Sequence, residues 1–157
     1  MQSEPTAGSA ASAEPVTITA SDIGLLLIRV LPAVAFTLHG MQKLFGAFGG
    51  PGLQGFTGYL ASMGVPSAPL AAILAAGVEF VGGLALLTGI GTRSLAILLF
   101  FDMAVACMLV HRHAFFLQNG GMEYALTLAL TMLGIALLGP GQITIPGAIR
   151  TVRNRRG

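Results

Sequence analysis

Six ionisable side chains fall inside or at the edge of long apolar segments: Arg29, His39, Lys43, Glu79, Asp102 and Glu123. A charge at the centre of a bilayer costs roughly 2.5–3.5 kcal/mol on insertion scales, so such groups must face a protein interior and find partners. Arg29, Phe36, Gly40 and Lys43 are spaced by seven, four and three residues, which places them on one stripe of a helix, with His39 beside it. Gly40 in that stripe lets a neighbouring helix or a flat ligand approach closely. A rise of about 1.5 Å per residue sorts the charges by depth. An outer cluster of His39, Lys43, Glu79 and Glu123 is expected, and an inner-to-middle ion pair of Arg29 with Asp102. An imidazole and an amine beside two carboxylates can bind an acidic phenol or a quinone oxygen and pass protons. The same charges also admit a purely structural reading, in which they neutralise each other and fix helix register.

Several other residues carry less chemistry. Cys107 and His111 lie four apart on one helix face, but two ligands are too few for a metal site. A single cysteine provides neither an internal disulfide nor a CxxC redox pair. His111-Arg112-His113 reads as an interfacial anchor, and the methionines read as packing residues. The sequence contains no phosphate loop, nucleophile elbow or CxxCH haem motif, and no metal site is expected.

The elements that position these groups follow from composition. Of 157 residues, 54% are hydrophobic and 9% are charged, against about 25% charged in a typical soluble domain. Only seven charged side chains occur from Gly24 to Pro140, too few to cover the surface of a water-soluble globule. The composition also excludes a disordered chain and a disulfide scaffold. An all-α integral membrane four-helix bundle is expected, with spans over about 22–45, 69–89, 93–110 and 122–139. Leu53, Phe56, Leu60 and Met63 recur at helical spacing between the first two spans and predict a short amphipathic helix there. Residues 1–21 read as a flexible polar tail rather than a signal peptide, with Asp22 as the first helix's N-cap. Residues 22–147 form the membrane domain and 148–157 a basic C-terminal tail. That tail's arginines, with Arg93, outnumber Lys43 and Arg112 on the other side. Both termini are therefore expected in the cytoplasm, facing anionic lipid and not nucleic acid.

The order of motifs across the chain resembles the DoxX/DoxD-like family of small four-helix bacterial membrane proteins. The matching features are Arg29 followed by His39-Gly40-Met41-Gln42-Lys43, then Gly77-Val78-Glu79 with Gly82-Gly83, and the turn Gly89-Ile90-Gly91-Thr92-Arg93. Asn119-Gly120-Gly121-Met122-Glu123 and the closing Gly139-Pro140-Gly141 complete the pattern over roughly 22–147. The resemblance implies a bacterial cytoplasmic-membrane protein, associated with oxidoreductase complexes handling thiols, sulfur compounds or oxidative stress. It implies an accessory or quinone-contacting subunit, with oxidoreductase partner subunits or further copies of itself, rather than a complete enzyme. Two other readings stand beside it: a small carrier whose path is lined by Glu79 and Asp102, and an assembly factor whose charges serve only the fold.

Overall fold

A computed structural model describes residues 17–154. Helix α1 (Ala20–Phe45) starts at Thr19, whose hydroxyl oxygen accepts from the Asp22 amide at 3.3 Å, while Oδ2 of Asp22 accepts from the Thr19 amide at 2.9 Å. Two otherwise orphaned amides are thereby satisfied reciprocally. Asp22 is thus the third helical residue and not the N-cap, and Ala20 and Ser21, expected in the polar tail over 1–21, belong to the helix; residues 1–16 lie outside the described residues. The helix stops at Gly46, whose φ of +69° suits glycine because it has no Cβ.

Four further apolar or amphipathic helices follow: α2 (Gly52–Ser62), α3 (Ala68–Thr88), α4 (Thr92–Leu109) and α5 (Glu123–Leu138). Gly89 and Gly91, at φ +79° and +62°, make the tight turn that sets α4 against α3. α1 packs mainly on α3, α4 on α5, and α2 lies across α1 and α3. Phe56 and Leu60 are the buried side of α2, which is the amphipathic helix expected between the first two spans. The main core joins Phe36 of α1 and Leu86 of α3 to Leu99 and Met103 of α4 and Met132 of α5.

The surface is apolar where a soluble protein's would be polar. Leu31, Ile73, Phe101, Met108 and Leu137 point outward, while Arg29 and Glu79 are buried. This inversion fits an all-α bundle whose solvent is lipid. Three helices, Ala20–Phe45, Ala68–Thr88 and Thr92–Leu109, are long and apolar enough to cross a membrane. The fourth apolar helix is shorter than the expected 122–139. It has 16 residues, about 24 Å against a hydrocarbon core of about 30 Å, because Gly139 ends it and the 110–122 loop reaches in at its start.

A sixth helix, α6 (Ile145–Asn154), occupies much of the segment expected to be a basic tail. The turn before it is tied to α1. Arg29 donates from Nη1 to the Pro140 carbonyl at 2.5 Å and from Nη2 to the Ile143 carbonyl at 2.7 Å, and Asp22 Oδ1 accepts from the Gln142 amide at 2.8 Å. The expected Arg29–Asp102 pair is therefore not the arrangement adopted. Helical side chains lean toward the helix N-terminus, which carries the long Arg29 side chain to the Ala20 end of α1 and away from Asp102. Removing the guanidinium strands two carbonyls. Arg29→Met is expected to cost about 1–3 kcal/mol for each carbonyl left buried, read as a lower Tm and faster amide exchange over 139–145. Unchanged exchange there would contradict the clamp.

Candidate functional site

Lys43 stands in the last turn of α1, and Glu79 lies at the middle of the antiparallel helix α3. Because both side chains lean toward their own N-termini, they converge on one level of the bundle. Lys43 Nζ donates to Glu79 Oε1 at 2.6 Å, the one ion pair among the described residues. The pair is unevenly buried, with the Lys43 side chain 24% exposed and that of Glu79 only 3%. The Lys43 ammonium also sits 4.9 Å from the ring centroid of Phe56 on α2, an added cation–π contact. Glu79 Oε2 is buried and has no hydrogen-bond partner.

The register of this pair depends on two glycines. A Cβ on Gly40 would lie 2.5 Å from the Phe80 backbone nitrogen, and one on Gly83 would collide with Thr37 and the Ala33 carbonyl. Only glycine permits the close α1–α3 crossing, as is common between membrane helices.

The pair forms one wall of a cavity of about 290 Å³ at the end of the bundle that holds α2 and the 110–122 loop. α1 contributes Phe36 and His39 alongside Lys43, α2 Phe56, Tyr59 and Leu60, and α3 Ala75 with Glu79. α4 contributes Asp102, Met103, Val105, Ala106 and Leu109, and α5 Tyr124, Ala125 and Leu128; Val110 and His111 close the rim. The wall is mostly hydrocarbon with a few convergent polar groups, as in sites for small apolar ligands. His111 Nδ1 lies 2.8 Å from the Gly120 carbonyl. A carbonyl only accepts, so Nδ1 carries the proton and Nε2 of the neutral ring is left as an acceptor.

Of the outer cluster expected from the sequence, His39, Lys43 and Glu79 share this cavity, and Asp102 joins them from the cluster assigned to Arg29. Glu123 does not. It opens α5, and its Oε1 accepts from the Leu117 amide at 2.6 Å, which holds the loop against the helix start. It borders a separate shallow groove with Phe115 and Leu117. Sequence reasoning passed over Tyr59 and Tyr124, the chain's two tyrosines, both of which line the cavity. The available signal was rarity: in a chain without tryptophan, both amphipathic aromatic residues line one cavity. The sequence alone marks His111 only as an interfacial anchor, whereas it closes the cavity rim. Among the described residues no three His, Cys, Asp or Glu side chains gather as a metal site.

The family model that matches is DoxX, over residues 24–112, which runs from the first turns of α1 to just past the end of α4. Among curated relatives, the chain is 31% identical over 118 residues to "Putative oxidoreductase CatD" of Bacillus subtilis (strain 168), covering 75% of this chain and 81% of that one. It is 30% identical over 131 residues to "Inner membrane protein YqjF" of Escherichia coli (strain K12), covering 79% and 90%. A third, "Inner membrane protein YphA" of the same organism, is 27% identical over 127 residues, covering 77% and 86%. No solved structure matches the chain significantly.

Proposed function

The chain belongs to the DoxX family, and on that premise we propose that it is an accessory subunit of a bacterial inner-membrane oxidoreductase complex, with its cavity holding the ring of a quinone. The observation that carries this reading is the buried, unpartnered Oε2 of Glu79 on an apolar cavity wall, 2.6 Å on its other oxygen from a lysine. A buried acceptor left without a donor is costly, and a ligand hydroxyl would satisfy it. Lys43 supplies a donor for a ring oxygen in the oxidised ligand, and Glu79 an acceptor for the hydroxyl of the reduced one. The rim supports a ligand that arrives from the bilayer, because Tyr59, Val105, Leu109 and Tyr124 line the cavity and are also exposed at the bundle's surface.

In this reading the electrons for quinone reduction come from a partner subunit. The chain's own residues orient the ring and manage its protons, with Asp102, His39 and His111 as further groups on the wall. The names of the Escherichia coli relatives support the inner membrane. Both termini are proposed to be cytoplasmic. Lys43 is used internally by Glu79, which leaves Arg112 as the exposed cation of the opposite end against Arg93 and the C-terminal arginines.

The test is purification in mild detergent, extraction for co-purifying quinone, and thermal unfolding with and without decylubiquinone. A ligand present at a hundred times its Kd stabilises by about 2.7 kcal/mol, so a rise of several degrees in Tm is expected. The Tyr59→Phe/Tyr124→Phe variant should weaken that rise without lowering the ligand-free Tm. A preparation free of quinone whose Tm ignores the added ligand would sink the proposal.

A further inference from the structure

Helix α6 buries none of its residues, and its sequence divides sharply into two faces. Ile145, Ile149 and Val152 fall at i, i+4 and i+7 on one side and are 49%, 63% and 50% exposed. Arg150 and Arg153 flank the other side, also exposed. Beyond Glu123 the chain has no acidic residue, while Arg155 and Arg156 follow the helix in sequence. A helix of ten residues is marginal in water and holds only when its apolar face is covered. At about 15 Å it is too short to cross the bilayer.

The position of α6 is set by the clamp on the turn before it. Arg29 and Asp22 of α1 bind Pro140, Gln142 and Ile143, so Ile145 starts beside the Ala20 end of a membrane-spanning helix. A Cβ on Gly89 would collide with Thr144, which brings the α3–α4 turn to the same end. The start of α6 therefore lies where the apolar bundle meets headgroups.

We propose that α6 lies in the plane of the membrane surface as an anionic-phospholipid binding element, with Ile145, Ile149 and Val152 in the acyl boundary and Arg150 and Arg153 on lipid phosphates. Interfacial helices combine a buried apolar face with arginines that reach to the headgroups. The net positive charge matches phosphatidylglycerol or cardiolipin, and an uncharged surface would leave the arginines without partners.

The test uses the full-length protein, with Cys107→Ala, reconstituted in phosphatidylcholine vesicles with and without 30% phosphatidylglycerol. Nitroxide labels are placed at Ile149→Cys and, separately, Thr151→Cys. With phosphatidylglycerol, the label at 149 should be shielded from a water-soluble nickel chelate and reached by oxygen, while the label at 151 stays open to nickel. Each arginine near an anionic surface is worth about five-fold in partition. Arg150→Gln/Arg153→Gln should thus shift the shielded-to-open ratio at 149 by roughly 25-fold. That variant leaves the Arg29 clamp intact, and an unchanged Tm checks that the bundle is folded. Equal nickel access at 149 and 151 in phosphatidylglycerol would overturn the proposal. So would shielding at 149 that ignores both lipid charge and the arginines, or that grows with protein density, which would assign the face to a second copy of the chain.

Discussion

Lys43→Met is expected to lower the unfolding free energy by about 3–5 kcal/mol, the usual cost of stranding one member of a buried ion pair. The charge it strands is Glu79, 3% exposed in an apolar wall, whose second oxygen already lacks a partner. Glu79→Met should cost less, because Lys43 is 24% exposed, keeps its contact with Phe56 and can lean outward on its flexible stem. The double variant Lys43→Met/Glu79→Met removes both charges and should regain most of the stability lost by Lys43→Met alone. Thermal unfolding of the four proteins in one detergent forms a double-mutant cycle that reads this directly. The same cycle separates two roles for the pair. If it serves only helix register, the double variant should still respond to decylubiquinone as the native chain does; if it grips the ring, the folded double variant should show no rise in Tm. Additive single effects would contradict the pairing itself.

Much of this arrangement was legible in the sequence, because it depends on the backbone. Scarcity of charge and four apolar stretches read correctly as an all-α membrane bundle, and the spacing of Phe56 and Leu60 located α2. Gly89 and Gly91 marked the turn for the reason they occupy it, a positive φ. The stripe of Lys43 and His39 was legible for the same reason, since helical angles depend only on spacing.

What sequence left hidden was the direction and reach of side chains. Depth counted in helical rises put Arg29 near Asp102, yet a guanidinium extends several ångströms from its own backbone and here reaches back to Pro140. Glu123 lies next to Tyr124 in sequence, but the Glu123 carboxylate turns to the Leu117 amide while the tyrosine side chain reaches the cavity. Such capping contacts depend on a loop conformation that no periodicity encodes. α6 was a different omission. The spacing of Ile145, Ile149 and Val152 was in plain sight, but the arginines drew the segment into a basic tail.

The second large effect is expected at a residue that touches no cavity atom. Gly40→Ala would place a Cβ 2.5 Å from the Phe80 nitrogen, 2.6 Å from its Cα and 2.7 Å from its Cβ. Carbon contacts favour about 3.5–4.0 Å, so α1 and α3 must part by about 1 Å. No rotamer change relieves this, since the obstructing atoms include the α3 backbone, and overpacking typically costs about 1–3 kcal/mol, occasionally more. The loss at Gly40 should reach or exceed the top of that range, because separating the helices also stretches the 2.6 Å bond between Lys43 and Glu79, which sit beside the contact in sequence. Gly83→Ala, which meets Thr37 and the Ala33 carbonyl, should behave alike. Gly82→Ala should be milder, since its nearest contacts are side-chain atoms of Leu99 rather than backbone, and Gly77→Ala has nothing within 4 Å and should be neutral or stabilising by up to about 1 kcal/mol. Tm values in the order 77, 82, then 40 and 83 are therefore expected, with the quinone response lost at 40 although no lining residue changed. Equal Tm for Gly40→Ala and Gly77→Ala would show that the helices part freely, and the close crossing could then not be what holds Lys43 against Glu79.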